Sequence, residues 1–122
     1  MNILFGPIPN EVTEKYTVLE LDTFYFRDLD QTRTAYCIVD QIPLSDLFVL
    51  ENLKTVHADL IQAYRNQNWE YCVSAVNGLV GRWNGDLDSF YEDLGRRVIE
   101  LQKDPPDTTW SPVIERVDQT ID

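Results

Sequence analysis

Histidine is nearly missing from this chain: His57 stands alone in 122 residues. There are two cysteines, Cys37 and Cys72, and neither falls in a CxxC or Cys/His ligand pattern. That excludes a zinc-ligand set and a disulfide framework. Basic residues are scarce, 10 against 21 acidic, for a formal net charge of -11. A field of that sign repels phosphate backbones and anionic lipid surfaces, so no nucleic-acid and no membrane partner is expected. No apolar run approaches the roughly 18 residues of a membrane span. Also absent are a P-loop, GxGxxG, GxSxG and HExxH. No cofactor, metal or catalytic residue is therefore expected. The start of the chain shows no signal peptide, which predicts a reducing, cytoplasmic setting.

What the chain does have is apolar material: 43% hydrophobic and 11% aromatic residues. The length suits a single domain over residues 1–122. Its composition divides into a β-rich part (1–42), a helical part (44–103) and a tail (104–122).

The β-rich part opens with a short apolar run, Ile3 to Phe5, stopped by Gly6-Pro7-Ile8-Pro9-Asn10, which reads as a loop. Tyr16 to Phe26 is rich in β-branched and aromatic residues. Its alternation is imperfect, with Leu19, Leu21, Thr23 and Tyr25 on one face and Tyr16, Val18, Phe24 and Phe26 on the other, which predicts a bulge or a strand covered on both faces. A polar turn over 27–32 leads to a second alternating run, Arg33 to Ile42. The simplest pairing is an antiparallel hairpin, which needs a partner to lie on.

Ser45 reads as the cap of a helix whose first turn carries Asp46. Leu50, Leu53, His57, Leu60 and Tyr64 then recur at helical steps, for one long helix or two bent near Glu51-Asn52. The short connection Asn66-Gln67-Asn68 predicts that the next helix, Trp69 to Trp83, runs back antiparallel. Asn84-Gly85 ends it. A third helix, capped by Asp86 or Asp88, runs to about Lys103 and is stopped by Asp104-Pro105-Pro106. Val113-Ile114 suits an edge strand beside the hairpin, with fraying from Asp118 to Asp122. Gly95, inside the third helix, costs up to about 1 kcal/mol relative to alanine and predicts a close approach by the second helix.

Few residues are candidates for chemistry. His57 falls on the apolar stripe of its helix and reads as a packed histidine. Asp86, Asp88, Glu92 and Asp93 suit a helix N-terminus rather than a calcium loop. Arg82, Arg96 and Arg97 form the one basic cluster and suit an anion or a partner's carboxylate. Glu92/Arg96 and Asp93/Arg97 are spaced for i,i+4 ion pairs. Most aromatics sit at core spacing, whereas Tyr71 and Trp110 read as partly exposed. The candidate partner contacts are thus Tyr71, Arg82, Arg97 and Trp110.

The run Ala63 to Cys72, with Tyr64 closing one helix and Trp69 opening the next, resembles the joint of tetratricopeptide-like repeats. Tyr64-Arg65, Trp69, Pro105-Pro106 and Trp110 together resemble the helical tail that follows the catalytic domain of some bacterial class III nucleotide cyclases. That likeness covers about residues 57–114 and implies a packing motif without cyclase activity. The whole chain also resembles small proteins of marine phages and ocean metagenomes in overall style, and this implies no activity.

The expected fold class is α+β: an N-terminal antiparallel β-hairpin packed on a three-helix antiparallel unit, with the C-terminal tail folding back. The expected function is a non-catalytic protein-interaction module with a protein partner. A homodimer is the economical cover if an edge strand or aromatic surface stays open. The alternative is an acidic decoy mimicking nucleic acid, which needs carboxylates in a continuous stripe. A third reading is a small-ligand pocket or enzyme using His57 or Arg97 between hairpin and helices.

Overall fold

The computed structural model describes residues 1–40 and 47–116. Its class is α+β, with the strands leading the sequence. The chain divides into two compact units, one built from residues 2–40 and 112–116, the other from residues 47–111.

The first unit is a four-stranded mixed sheet. Its elements are β1 (Asn2–Phe5), α1 (Asn10–Lys15), β2 (Tyr16–Phe26), β3 (Gln31–Asp40) and β4 (Ile114–Arg116). The strand order is β1-β3-β2-β4. β2 and β3 form the expected antiparallel hairpin, and β1 adds to it antiparallel on the β3 side. β4 pairs parallel with β2, so the tail does supply an edge strand. An exposed Arg27–Glu115 ion pair at 3.0 Å accompanies that pairing.

The broken alternation of β2 is a bulge. Glu20 pairs with Tyr36 and Thr23 with Thr34, so Leu21 and Asp22 together oppose Ala35. Two residues facing one shift the phase of the strand by a single position. Leu19 and Leu21 before the bulge, and Phe24 and Phe26 after it, are consequently all buried. Phe26, fully buried, meets Phe5 edge-on with ring centroids 5.2 Å apart and stacks on Phe24 at 6.0 Å. The hairpin turn closes with Asp30 in the left-handed region (φ 50°), where its carboxylate accepts from the Tyr25 hydroxyl.

The expected loop holds over residues 6–9, and α1 follows it from Asn10 in a stretch where no element was expected. Pro9 sits at its N-cap position with φ -60°, and its carbonyl accepts from the N–H groups of Val12 and Thr13. The helix buries no residue, so no apolar period announced it.

The second unit holds α2 (Leu47–Arg65), α3 (Trp69–Leu79) and α4 (Asp88–Lys103). α2 is one continuous helix over the described residues, unbroken at Glu51-Asn52. The proposed cap Ser45, with Asp46, lies outside the described residues, as do Asp118 to Asp122. Between α2 and α3 Gln67 turns left-handed (φ 61°), and the Asn68 side chain accepts from Tyr71 N at 3.3 Å. Three residues thus reverse the chain.

Two boundaries depart from expectation. α3 ends at Leu79, short of Trp83, because Gly81 (φ 84°), Asn84 (φ 54°) and Gly85 (φ 79°) take left-handed backbone in quick succession. Neither Asp86 nor Asp88 caps α4. Leu87 holds the N-cap position without a side-chain bond, and Asp88 Oδ1 accepts instead from Gly81 N at 2.7 Å. That bond stitches the α3–α4 connection closed.

Leu60, Cys72, Leu79, Leu87, Tyr91, Leu94 and Val98 form the inner layer of this unit, each at most 1% exposed. Burial pushes the Cys72 thiol up to about 11. A thiolate is the nucleophile in alkylation, so the raised value and the burial act in the same direction. Iodoacetamide at pH 8 is expected to leave Cys72 and the fully buried Cys37 unmodified in the native protein and to label both in urea, read by mass spectrometry. The linkage sign is also fixed. Above the ordinary thiol range the unfolded chain loses the Cys72 proton first, so this contribution to stability falls as pH rises toward 11.

Candidate functional site

α2 and α3 leave an open groove of about 240 Å³ along their shared face. Its floor is apolar, made by Leu53, Ala75 and Leu79, which are themselves buried. Asn52 and Val56 form the α2 wall, and Tyr71, Ser74, Gly78 and Arg82 form the other. Because the helices run antiparallel, Tyr71 marks one end of the groove and Arg82 the other. The Tyr71 hydroxyl is held above its ordinary range, first by partial burial and then by the negative charge of Asp59. Asp59 lies three residues beyond Val56 on α2, so an acid stands at the Tyr71 end.

Arg82 is exposed and belongs to no ion pair among the described residues. The other two arginines of the expected cluster are engaged elsewhere. Both converge on Asp93: Arg96 at 3.1 Å, and Arg97 with its Nε 3.1 Å from Oδ2. Arg96 therefore takes Asp93 at i,i+3 and not Glu92. Arg97 also lies over the Tyr64 ring, 5.5 Å from its centroid, and donates to the Tyr64 hydroxyl at 3.4 Å.

Trp110 is half-buried. It meets Tyr64 and Trp69 edge-on, each with centroids 5.4 Å away, and these two rings also meet each other at 5.9 Å. The segment before it is anchored by Gln67 Nε2, which donates to the Asp107 carbonyl at 2.9 Å. The Asp107 carboxylate accepts from the Thr109 hydroxyl and the Thr109 N–H, which hold it below the ordinary carboxylate range. Trp110 and Arg97 thus brace the α2–α3 joint. Of the four residues expected to contact a partner, the structure brings Tyr71 and Arg82 to one groove and places Arg97 and Trp110 at a separate aromatic cluster.

His57 lies in neither place. It is 2% exposed, and its Nδ1 is 2.8 Å from the Tyr91 hydroxyl. The same hydroxyl accepts from Trp83 Nε1–H at 3.0 Å. Tyr91 is fully buried and Trp83 is 7% exposed. A network this enclosed offers no access to a substrate, and it satisfies polar atoms that burial would otherwise penalise. The helical period placed His57 and Tyr91 inward but carried no sign that they would meet across α2 and α4.

Of the acids near α4, Asp88 accepts from Gly81 N and Asp93 is shared by the two arginines. Among the described residues no group of three or more His, Cys, Asp or Glu is arranged to hold a metal ion. No described helix is long and apolar enough to cross a membrane. No family model matches this chain, and neither a curated protein nor a solved structure matches it.

Proposed function

We propose that this chain is a non-catalytic protein-interaction module that receives a helical segment of a partner protein in the α2–α3 groove. The observation that carries this reading is the groove itself: an open channel between two helices, with a floor of packed apolar side chains and a rim that includes Asn52, Tyr71, Ser74 and Arg82. Its volume of about 240 Å³ is below the roughly 300–1,000 Å³ usual for small-molecule sites, and it is open rather than enclosed. Such a surface takes the projecting side chains of a helix, as grooves that bind amphipathic helices do. The resemblance of the Tyr64–Trp69 joint to tetratricopeptide-like repeats belongs to the same proposal, since those repeats present paired helices as binding surfaces. The acidic field of the chain adds steering toward partners of net positive charge.

The acids give less support to a nucleic-acid mimic. They are spread over strands, helices and turns of both units, and several are neutralised within three or four residues.

A photo-crosslinking residue tests the reading. Placed at Ser74 in the groove wall, it is expected to trap a discrete protein from an extract of the source cells. Placed at Gln102, exposed on α4, it is expected to trap none. Capture through Ser74 should fade when Gly78→Ala is added. Equal capture at both positions, or turnover of a metabolite by the purified chain, would defeat it.

A further inference from the structure

Gly78 is the least expected residue of the groove. It lies in the last turn of α3, and glycine is the poorest helix former after proline. Packing within the chain does not require it: a Cβ built there meets nothing within 4 Å. Gly95 on α4 differs, since its Cβ would touch Val76 Cγ1 at 3.5 Å, an ordinary contact. What Gly78 provides is an open strip of backbone on the groove wall, where another backbone can come close.

The two ends of the groove carry opposite charges. Arg82 stands at one and Asp59 beside Tyr71 at the other, and neither belongs to an ion pair among the described residues. The other basic side chains in the described residues have a carboxylate, hydrogen-bond or ring partner. Arg82 is the exception. The apolar track also runs past the groove, because Phe48 and Val49 precede Asn52 by one helical turn and are 93% and 49% exposed. From Tyr71 to Leu79 the groove extends for about 12 Å of helix axis, the reach of two turns of a docked helix.

We propose that the occupant is an amphipathic helix with a carboxylate at the end that meets Arg82, a basic side chain at the end that meets Asp59, and a small residue crossing Gly78. This rests on the reading of the groove as a docking surface and adds the partner's chemistry and polarity. Small residues facing each other let helix axes approach, and the charges fix direction: a reversed helix sets like against like. Phe48 extends the apolar contact beyond the Arg82 end.

Selection from random peptides of about 16 residues displayed on phage, panned against the full chain, tests it, with binding of enriched peptides measured by fluorescence anisotropy. The expected winners carry apolar residues at helical spacing, Asp or Glu at one end and Lys or Arg at the other. Gly78→Ala is expected to raise the unfolding midpoint of the chain and to weaken these peptides about tenfold or more. Arg82→Glu should weaken them similarly and restore binding to a peptide whose terminal acid is changed to lysine. Winners that lose affinity with Gly78→Ala but ignore Arg82→Glu would overturn the charge polarity while leaving the groove as a docking surface. Winners indifferent to Gly78→Ala, or no enrichment at all, would overturn both.

Discussion

Tyr91→Phe is expected to destabilise the helical unit by about 2–4 kcal/mol, although it deletes one oxygen and opens almost no space. The Tyr91 hydroxyl accepts from Trp83 Nε1–H at 3.0 Å and lies 2.8 Å from His57 Nδ1, and all three residues are buried. Removing it takes a shared partner from both, and a buried polar atom that loses its partner, such as the Trp83 indole N–H, costs roughly 1–3 kcal/mol. The indole N–H has no second role, because it can only donate. Trp69, Trp83 and Trp110 all belong to the helical unit, so urea titration followed by tryptophan fluorescence reads that unit directly. His57→Leu in the Tyr91→Phe background should cost less than in the wild-type chain, because the bond between His57 and the Tyr91 hydroxyl is already gone. A Tyr91→Phe midpoint equal to wild type would show that the three groups do not depend on one another.

On the sheet side the largest expected effect is that of Phe26→Ala, a loss of about 3–5 kcal/mol. Phe26 is fully buried, with the Phe5 ring edge-on at 5.2 Å and the Phe24 ring stacked at 6.0 Å. Truncation forfeits the burial of a large apolar side chain and the two ring contacts, and leaves a void that rigid strands close poorly. Phe26→Leu keeps most of the volume and should cost less than half as much. Thermal unfolding followed by circular dichroism separates the two. Similar losses for both would mean that the site collapses around alanine, and that ring packing is not what holds β1 against the hairpin.

Much of this architecture was legible from periodicity. The strand over Tyr16–Phe26 and the helix ending at Lys103 were readable because their apolar residues recur at two and 3.6 positions, and because burial on one face demands that recurrence. The imperfect alternation of β2 was half readable: leucines at odd positions followed by phenylalanines at even ones fit a bulge or a strand covered on both faces, and only the pairing with β3 chose the bulge. α1 was not legible, since it buries nothing and so leaves no period. The early stop of α3 was hidden too. Trp83 continues the apolar rhythm of that helix, but it reaches the core from a turn set by left-handed Gly81, Asn84 and Gly85.

The site was half legible. Composition marked Arg82 as a rare cation and Tyr71 as a half-exposed aromatic, and these two do share a groove. Arg97 and Trp110 looked similar in sequence. Their neighbours distinguish them: Asp93 and the Tyr64 ring occupy Arg97, and the rings of Tyr64 and Trp69 occupy Trp110. Gly78 carried no signal, because helical spacing does not show whether a glycine meets a neighbour or open space.

By itself the sequence determined which side chains turn inward, where most strands and helices lie, and that the chain is strongly acidic. These follow from local repeat and from counting, both of which act along the chain. Only the tertiary structure decided that β4 joins β2 in parallel, that His57 and Trp83 share one hydroxyl, and that Arg82 faces an apolar channel while Arg97 does not. Those outcomes depend on which residues distant in sequence come within a few ångströms, and contact energies that fall off over such short distances leave no trace in spacing or composition.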